Sequence, residues 1–249
     1  MQKGFEDEVA FANGNMITVK VGEADQDVFM LPEDRLRASS EFIDAAMRGP
    51  WKESQERMVS LPNFDRKLFA VYLQWLLTGV VHSRQRGDDP LSALLQELVK
   101  LPELFNLGHY LLDTDFRDAL NDSLMQCVIE LQGRSAVFSP SYGSKFYQNV
   151  PDGSPTRKLI TDIIVWGNRG AALRALPAKI DTMEPDLIMD LLLAVTGRYV
   201  SLKPDKYPFD KWQTSCKYHC HGDEKVCYRQ KASTYVTSFT GDLTAAERE

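Results

Sequence analysis

The chain has 249 residues, 43% hydrophobic and 26% charged, which is enough apolar material for one large domain or two small ones. Its formal charge of −6 excludes an overall basic field of the kind that gathers nucleic acid or anionic membrane. No apolar run nears the roughly 20 residues of a membrane helix. Met1 to Asn15 carries acids where a signal peptide has a positive end, and four cysteines are too few for a disulfide scaffold. The expectation is an intracellular protein, in cytosol or nucleus, whose thiols are reduced, metal ligands or both.

Residues 1–14 show no period and read as a loosely held arm. Ile17, Val19 and Val21 alternate with Thr18 and Lys20, and Val28 to Leu31 comes after a polar turn, which is a β-hairpin pattern. Ser39 and Ser40 can cap a short helix with Phe42, Ala45 and Ala46 that stops at Gly49-Pro50. After a polar connection from Trp51, Met58 to Leu61 reads as a strand closed by Pro62. Asp65 caps a helix whose Leu68, Tyr72, Trp75 and Leu76 share one face and whose Gly79 stands at the C′ position. Trp75 is expected to be buried against Phe42 and the hairpin.

Beyond a charged loop, Pro90 opens a helix with Leu91, Leu94, Leu95 and Leu98 on one face, and Pro102 predicts a restart through Leu107, Leu111 and Leu112. Thr114 can cap a long helix with Phe116, Ala119, Leu120, Leu124, Cys127, Val128 and Leu131, ending at Gly133, so that Cys127 is a core residue. Arg134 to Pro155, rich in Ser, Gly and Pro, is the expected linker. Thr156 then caps a helix with Leu159, Ile160, Ile163 and Ile164, and Pro185 starts one with Ile188, Leu191, Leu192 and Val195 that Gly197 ends. Both helices need cover, and the long helix from Thr114 is the nearest candidate.

Five blocks in order resemble the BTB/POZ domains, in particular the divergent BTB proteins common in fungi. They are Ser39-Ser40-Glu41-Phe42 with Ala45-Ala46; Gly49-Pro50-Trp51-Lys52-Glu53-Ser54; Val59-Ser60-Leu61-Pro62; Phe69; and Tyr72 through Gly79. The resemblance implies an α+β BTB/POZ fold, a small sheet flanked by helices, with an all-helical C-terminal extension. It divides the chain into an arm (1–14), a BTB domain (15–113), a connecting helix (114–133), a linker (134–155), a helical extension (156–200) and a tail (201–249). The chain departs from the family where Asn15-Met16 and Pro32-Glu33 replace its usual aspartate and His-Lys pair, so partner contacts made through those positions are not carried over.

The motifs of phosphate loops, dinucleotide sites, nucleophile elbows and zinc proteases are absent, and His82 and His109 lack a neighbouring nucleophile or carboxylate at a meaningful spacing. The Asn121-Asp122-Ser123 sequon falls inside a predicted helix and reads as accidental. The chemistry that stands out is in the tail. Cys216, His219, His221 and Cys227 have spacings that let a tight turn and an extended pair aim four ligands at one ion, with Cys220 the spare thiol. This Cys-x2-His-x-His-Cys pattern also resembles the tail of many fungal BTB relatives. Two readings stand side by side: structural zinc, or a mobile reduced tail whose Trp212, Tyr218 and Tyr228 pack on the helical extension.

The resemblance implies a non-enzymatic protein-interaction module, an adaptor that binds itself or other proteins, among them cullin-type ubiquitin ligases and corepressors, with no nucleic-acid or membrane partner. A strand-swapped dimer is not favoured by the short acidic arm, and the oligomeric state stays open. The alternatives are a zinc-bearing transcription regulator and a metal-dependent enzyme. The first would need the basic residues Lys211, Lys217, Lys225, Arg229 and Lys231 to form a surface, and the second an open metal position with a base beside it.

Overall fold

The computed structural model describes residues 15–23, 26–84, 89–167, 171–174, 176–200 and 208–231. The arm expected over 1–14 lies outside them. The chain is mixed α+β and divides into two compact units: one runs to His82 and adds Asn106–Phe116, and the other holds Ser83–Phe105 and Arg117–Glu249. Among the described residues no helix is long and apolar enough to cross a membrane.

The first unit is built on a three-stranded sheet. Strands β1 (Met16–Val21) and β2 (Asp27–Pro32) form the antiparallel hairpin expected, with Thr18 opposite Met30. β3 (Met58–Leu61) pairs in parallel with β1, which is therefore central. Parallel pairing requires a crossover, and helices α1 (Glu33–Ser39), α2 (Glu41–Arg48) and α3 (Lys52–Glu56) supply it. Ser40 caps α2 by accepting from the Ile43 N–H. Gly49 ends the helix, and the Trp51 indole lies over the side where a Cβ would stand. Helix α4 (Arg66–Thr78) has the expected ends: Asp65 accepts from the Leu68 N–H, and Gly79 sits at φ 68°.

The core of this unit is a run of aromatic rings from Phe29 through Phe69 and Tyr72 to Phe116, whose centroids are 4.9, 5.9 and 5.0 Å apart in turn. Trp75 is buried as expected, but its ring lies 6.0 Å from Phe116, while Phe42 meets Tyr110 at 5.0 Å.

Asp113 is fully buried in the same core and accepts from Ser39 Oγ, Tyr72 Oη (2.9 Å) and the Phe116 N–H (2.8 Å). Burial raises its pKa from 3.8 to about 6, against the pull of these three donors. The folded value thus exceeds the unfolded one. Stability from this group is complete below about pH 4 and is lost as pH rises through about 6. The wild-type chain should therefore gain stability relative to Asp113→Asn as the pH is lowered from 7 to 4, by up to roughly 1.4 kcal/mol per unit within the window. Parallel urea-midpoint profiles for the two proteins would contradict this.

Three local expectations are corrected. Helix α5 (Pro90–Tyr110) runs straight through Pro102 without a restart. Proline costs a helix about 3 kcal/mol, but Leu94, Leu98, Leu101, Leu104, Phe105 and Leu107 are all fully buried and outweigh it. Asp113, not Thr114, caps α6 (Thr114–Gly133). Ser154, not Thr156, caps α8 (Pro155–Trp166), with Pro155 in its first turn.

In the second unit the predicted faces of α6 and α8 are buried, Cys127 among them. The stretch expected as a linker contains α7 (Pro140–Tyr147), and Phe138, Phe146, Tyr147 and Val150 are buried. Its Gly143 allows the close approach: a Cβ there would lie 3.0 Å from Leu187 and 3.1 Å from Ile164. A short helix α9 (Ala171–Arg174) precedes α10 (Pro185–Val200). Gly197 does not end α10, whose Leu187 and Leu191 are buried while Leu192 and Val195 are exposed.

Candidate metal centre

Residues 208–231 are turns until a last helical turn at 228–231, so side chains rather than ladders must hold the segment. The His219 N–H donates to the Cys216 carbonyl at 3.0 Å, which is the tight turn that the x2 spacing predicts. Gly222, at φ 65°, turns the chain back toward Cys227 in a conformation that glycine adopts without strain. The ligand atoms of Cys216, His219, His221 and Cys227 all come within 4.8 Å of one another. All four sequence-predicted residues are thus brought together. Cys216 is exposed, His221 half-buried, and His219 and Cys227 buried.

One pair of these donor atoms has the spacing that a tetrahedral zinc imposes. Cys227 Sγ lies 3.5 Å from His219 Nδ1. A tetrahedral zinc with its usual bond lengths holds sulfur and nitrogen about 3.5 Å apart. His221 Nδ1 contacts the Gly222 carbonyl, to which it must donate, and Nε2 is left buried with no hydrogen-bond partner among the described residues. A buried imidazole nitrogen with a lone pair and no donor costs free energy, which a cation would relieve. Burial pushes the Cys227 thiol up to about 11, so an ion would have to displace its proton. Cys220 stands apart. Its N–H donates to Asp118, and burial together with the Asp118 charge raises its thiol to about 12.

Polar residues that carry no signal of their own in the sequence lie beside this cluster. His219 Nε2 lies 3.2 Å from Asp122 Oδ1, and Asn121 donates to the Tyr218 carbonyl at 2.8 Å. Asp122 also accepts from Tyr228 Oη and from Arg229, whose Nε is at 2.7 Å. Burial would raise the Asp122 carboxyl, but hydrogen bonds from His219, Arg229 and Tyr228 hold it below the ordinary carboxylate value. From α8, Asp162 accepts from Tyr218 Oη at 2.7 Å and Lys217 at 3.1 Å. The packing of Tyr218 and Tyr228 foreseen for a metal-free tail is therefore also present, and it is compatible with a bound ion.

Only their spacing could have pointed to these residues: Asp118, Asn121 and Asp122 are i, i+3 and i+4 on α6, so they share a face. Asn121 is buried there, inside the sequon read as accidental. His82 is exposed and His109 half-buried, and neither belongs to the cluster. Compared with models of known protein families and with curated protein sequences, the chain matches none.

Proposed function

We propose that this chain is a non-enzymatic protein-interaction module of the BTB/POZ type, an adaptor whose C-terminal segment is pinned by one structural zinc ion. The observation that carries the interaction reading is the outer face of the hairpin. Among the described residues strand β2 is a sheet edge, and its Val28 and Met30 are 58% and 66% exposed while Leu31 is buried. Met16, Thr18 and Lys20 pair opposite Pro32, Met30 and Val28, so the two strands present one continuous face. An edge strand with outward apolar side chains is costly to leave bare and suits a protein partner that adds a strand or covers it. The order of hairpin, capped helices, parallel strand and capped helix supports the BTB reading of this unit. The family admits a second copy of the chain or a cullin-type ligase subunit as partner.

Four protein donors would fill a tetrahedral zinc sphere and leave no position for substrate, which favours a structural role over the enzyme alternative. Arg229 and Lys217 are engaged by Asp122 and Asp162, which removes two of the cations that a nucleic-acid surface would need. Affinity capture from native extract, read by mass spectrometry, should recover a protein partner. Met30→Glu should lose that partner at an unchanged urea midpoint, because the side chain is exposed in the free chain. Equal recovery by the variant would remove this face as the interface. Absence of any protein partner together with small-molecule turnover would overturn the module itself.

A further inference from the structure

Asp122 stands at the one place where both ends of the ligand-bearing segment meet. Its Oδ1 faces His219 Nε2 at 3.2 Å, and both its oxygens are engaged by Arg229. The same guanidinium donates to the carbonyls of Trp212 (3.2 Å) and Ser215 (3.3 Å), immediately before the first ligand, Cys216. Tyr228 and Arg229 themselves come directly after the last ligand, Cys227.

His219 is caught between two carboxylates that favour opposite tautomers. Asp118 Oδ2 is buried without a hydrogen-bond partner among the described residues and lies 4.0 Å from Nδ1, so it favours a proton on that nitrogen. Asp122 favours a proton on Nε2. The shorter contact is with Asp122, at hydrogen-bond distance, whereas 4.0 Å is too long for a hydrogen bond. The proton therefore sits on Nε2, and the Nδ1 lone pair points to the side of Cys227 Sγ.

We propose that Asp122 is a positioning residue of the metal centre: by accepting the Nε2 proton it presents His219 Nδ1 to the ion, and through Arg229 it makes metal loading and the docking of residues 208–231 on α6 a single event. This rests on the zinc reading above. Carboxylates that hold a ligating imidazole in this way typically contribute 10–100-fold to metal affinity.

The test uses the full chain and zinc alone, titrated against a chromophoric chelator, with nitrogen-15 NMR of the histidine rings. Wild type should take up one zinc with His219 coordinated through Nδ1 and protonated at Nε2. Asp122→Ala should bind about 10–100-fold more weakly. Asp122→Asn, which can still offer an oxygen to the Nε2 proton, should fall between the two and keep the wild-type tautomer. Arg229→Gln should keep that tautomer too, but lose hydrogen-exchange protection over residues 212–215.

If Asp122→Ala does not fold, the Asn variant and the wild-type tautomer carry the decision. Coordination of His219 through Nε2, or zinc affinity in the Ala variant within about twofold of wild type where the usual loss is tenfold or more, overturns the inference and leaves the zinc site standing. A wild-type chain that takes up no zinc overturns both.

Discussion

The double change His219→Ala with Cys227→Ser is expected to take the zinc content of purified, untagged protein from near one ion per chain to none. Both side chains are buried, and the 3.5 Å separation of their ligand atoms makes them the best-defined edge of the site. Structural zinc sites in small peptides are worth about 10–16 kcal/mol of apparent binding free energy at neutral pH, nearly all of which appears as folding. The segment 208–231 has no ladder of its own to fall back on. Its hydrogen-exchange protection should therefore collapse in the variant and in chelator-treated wild type, while the aromatic core around Tyr72 keeps its protection. Because two thiols must lose protons, uptake should also weaken as the pH falls. Native protein that is metal-free and takes up no added zinc would end the metal reading.

Trp75→Ala is the most damaging single change expected in the first unit. The indole is 6% exposed and lies tilted against Phe116 at 6.0 Å, and Phe116 also meets Tyr72 edge-on. Its removal takes a large ring out of a buried site, and truncations of this size cost about 3–5 kcal/mol. That is a large share of the roughly 5–15 kcal/mol that stabilises a typical domain. The urea midpoint should fall accordingly. Coincident midpoints for variant and wild type would show that the ring contributes little to this core.

The parts that local rules govern were legible without the structure. The hairpin, helices α2 and α4, strand β3 and the faces of α6 and α8 each carry signals within a few residues: alternation, a Ser or Asp cap, a closing Gly. The convergence of Cys216, His219, His221 and Cys227 was legible for the same reason, since a turn of x2 spacing and a short reversal bring them together with little help from elsewhere. Features of both readings of the tail are present: the ligand atoms of the four residues converge, and Tyr218 and Tyr228 donate to Asp162 and Asp122.

Tertiary packing decided the rest. A local rule ends a helix at Pro102, yet the buried leucines on both sides carry α5 through it. Composition makes 134–155 a linker, but Phe146 and Tyr147 find buried sites because Gly143 lets α7 approach Leu187 and Ile164. The exposed side of α10 could not be told from its buried side, since apolar residues lie all round it. Asp118 and Asp122 were two of 35 acids until folding brought them to a histidine about a hundred positions further along the chain. The clustering of Cys216, His219, His221 and Cys227 could be read from spacing because nearby backbone brings them together; which carboxylates lie beside His219 could not, because that depends on which face of α6 the segment meets.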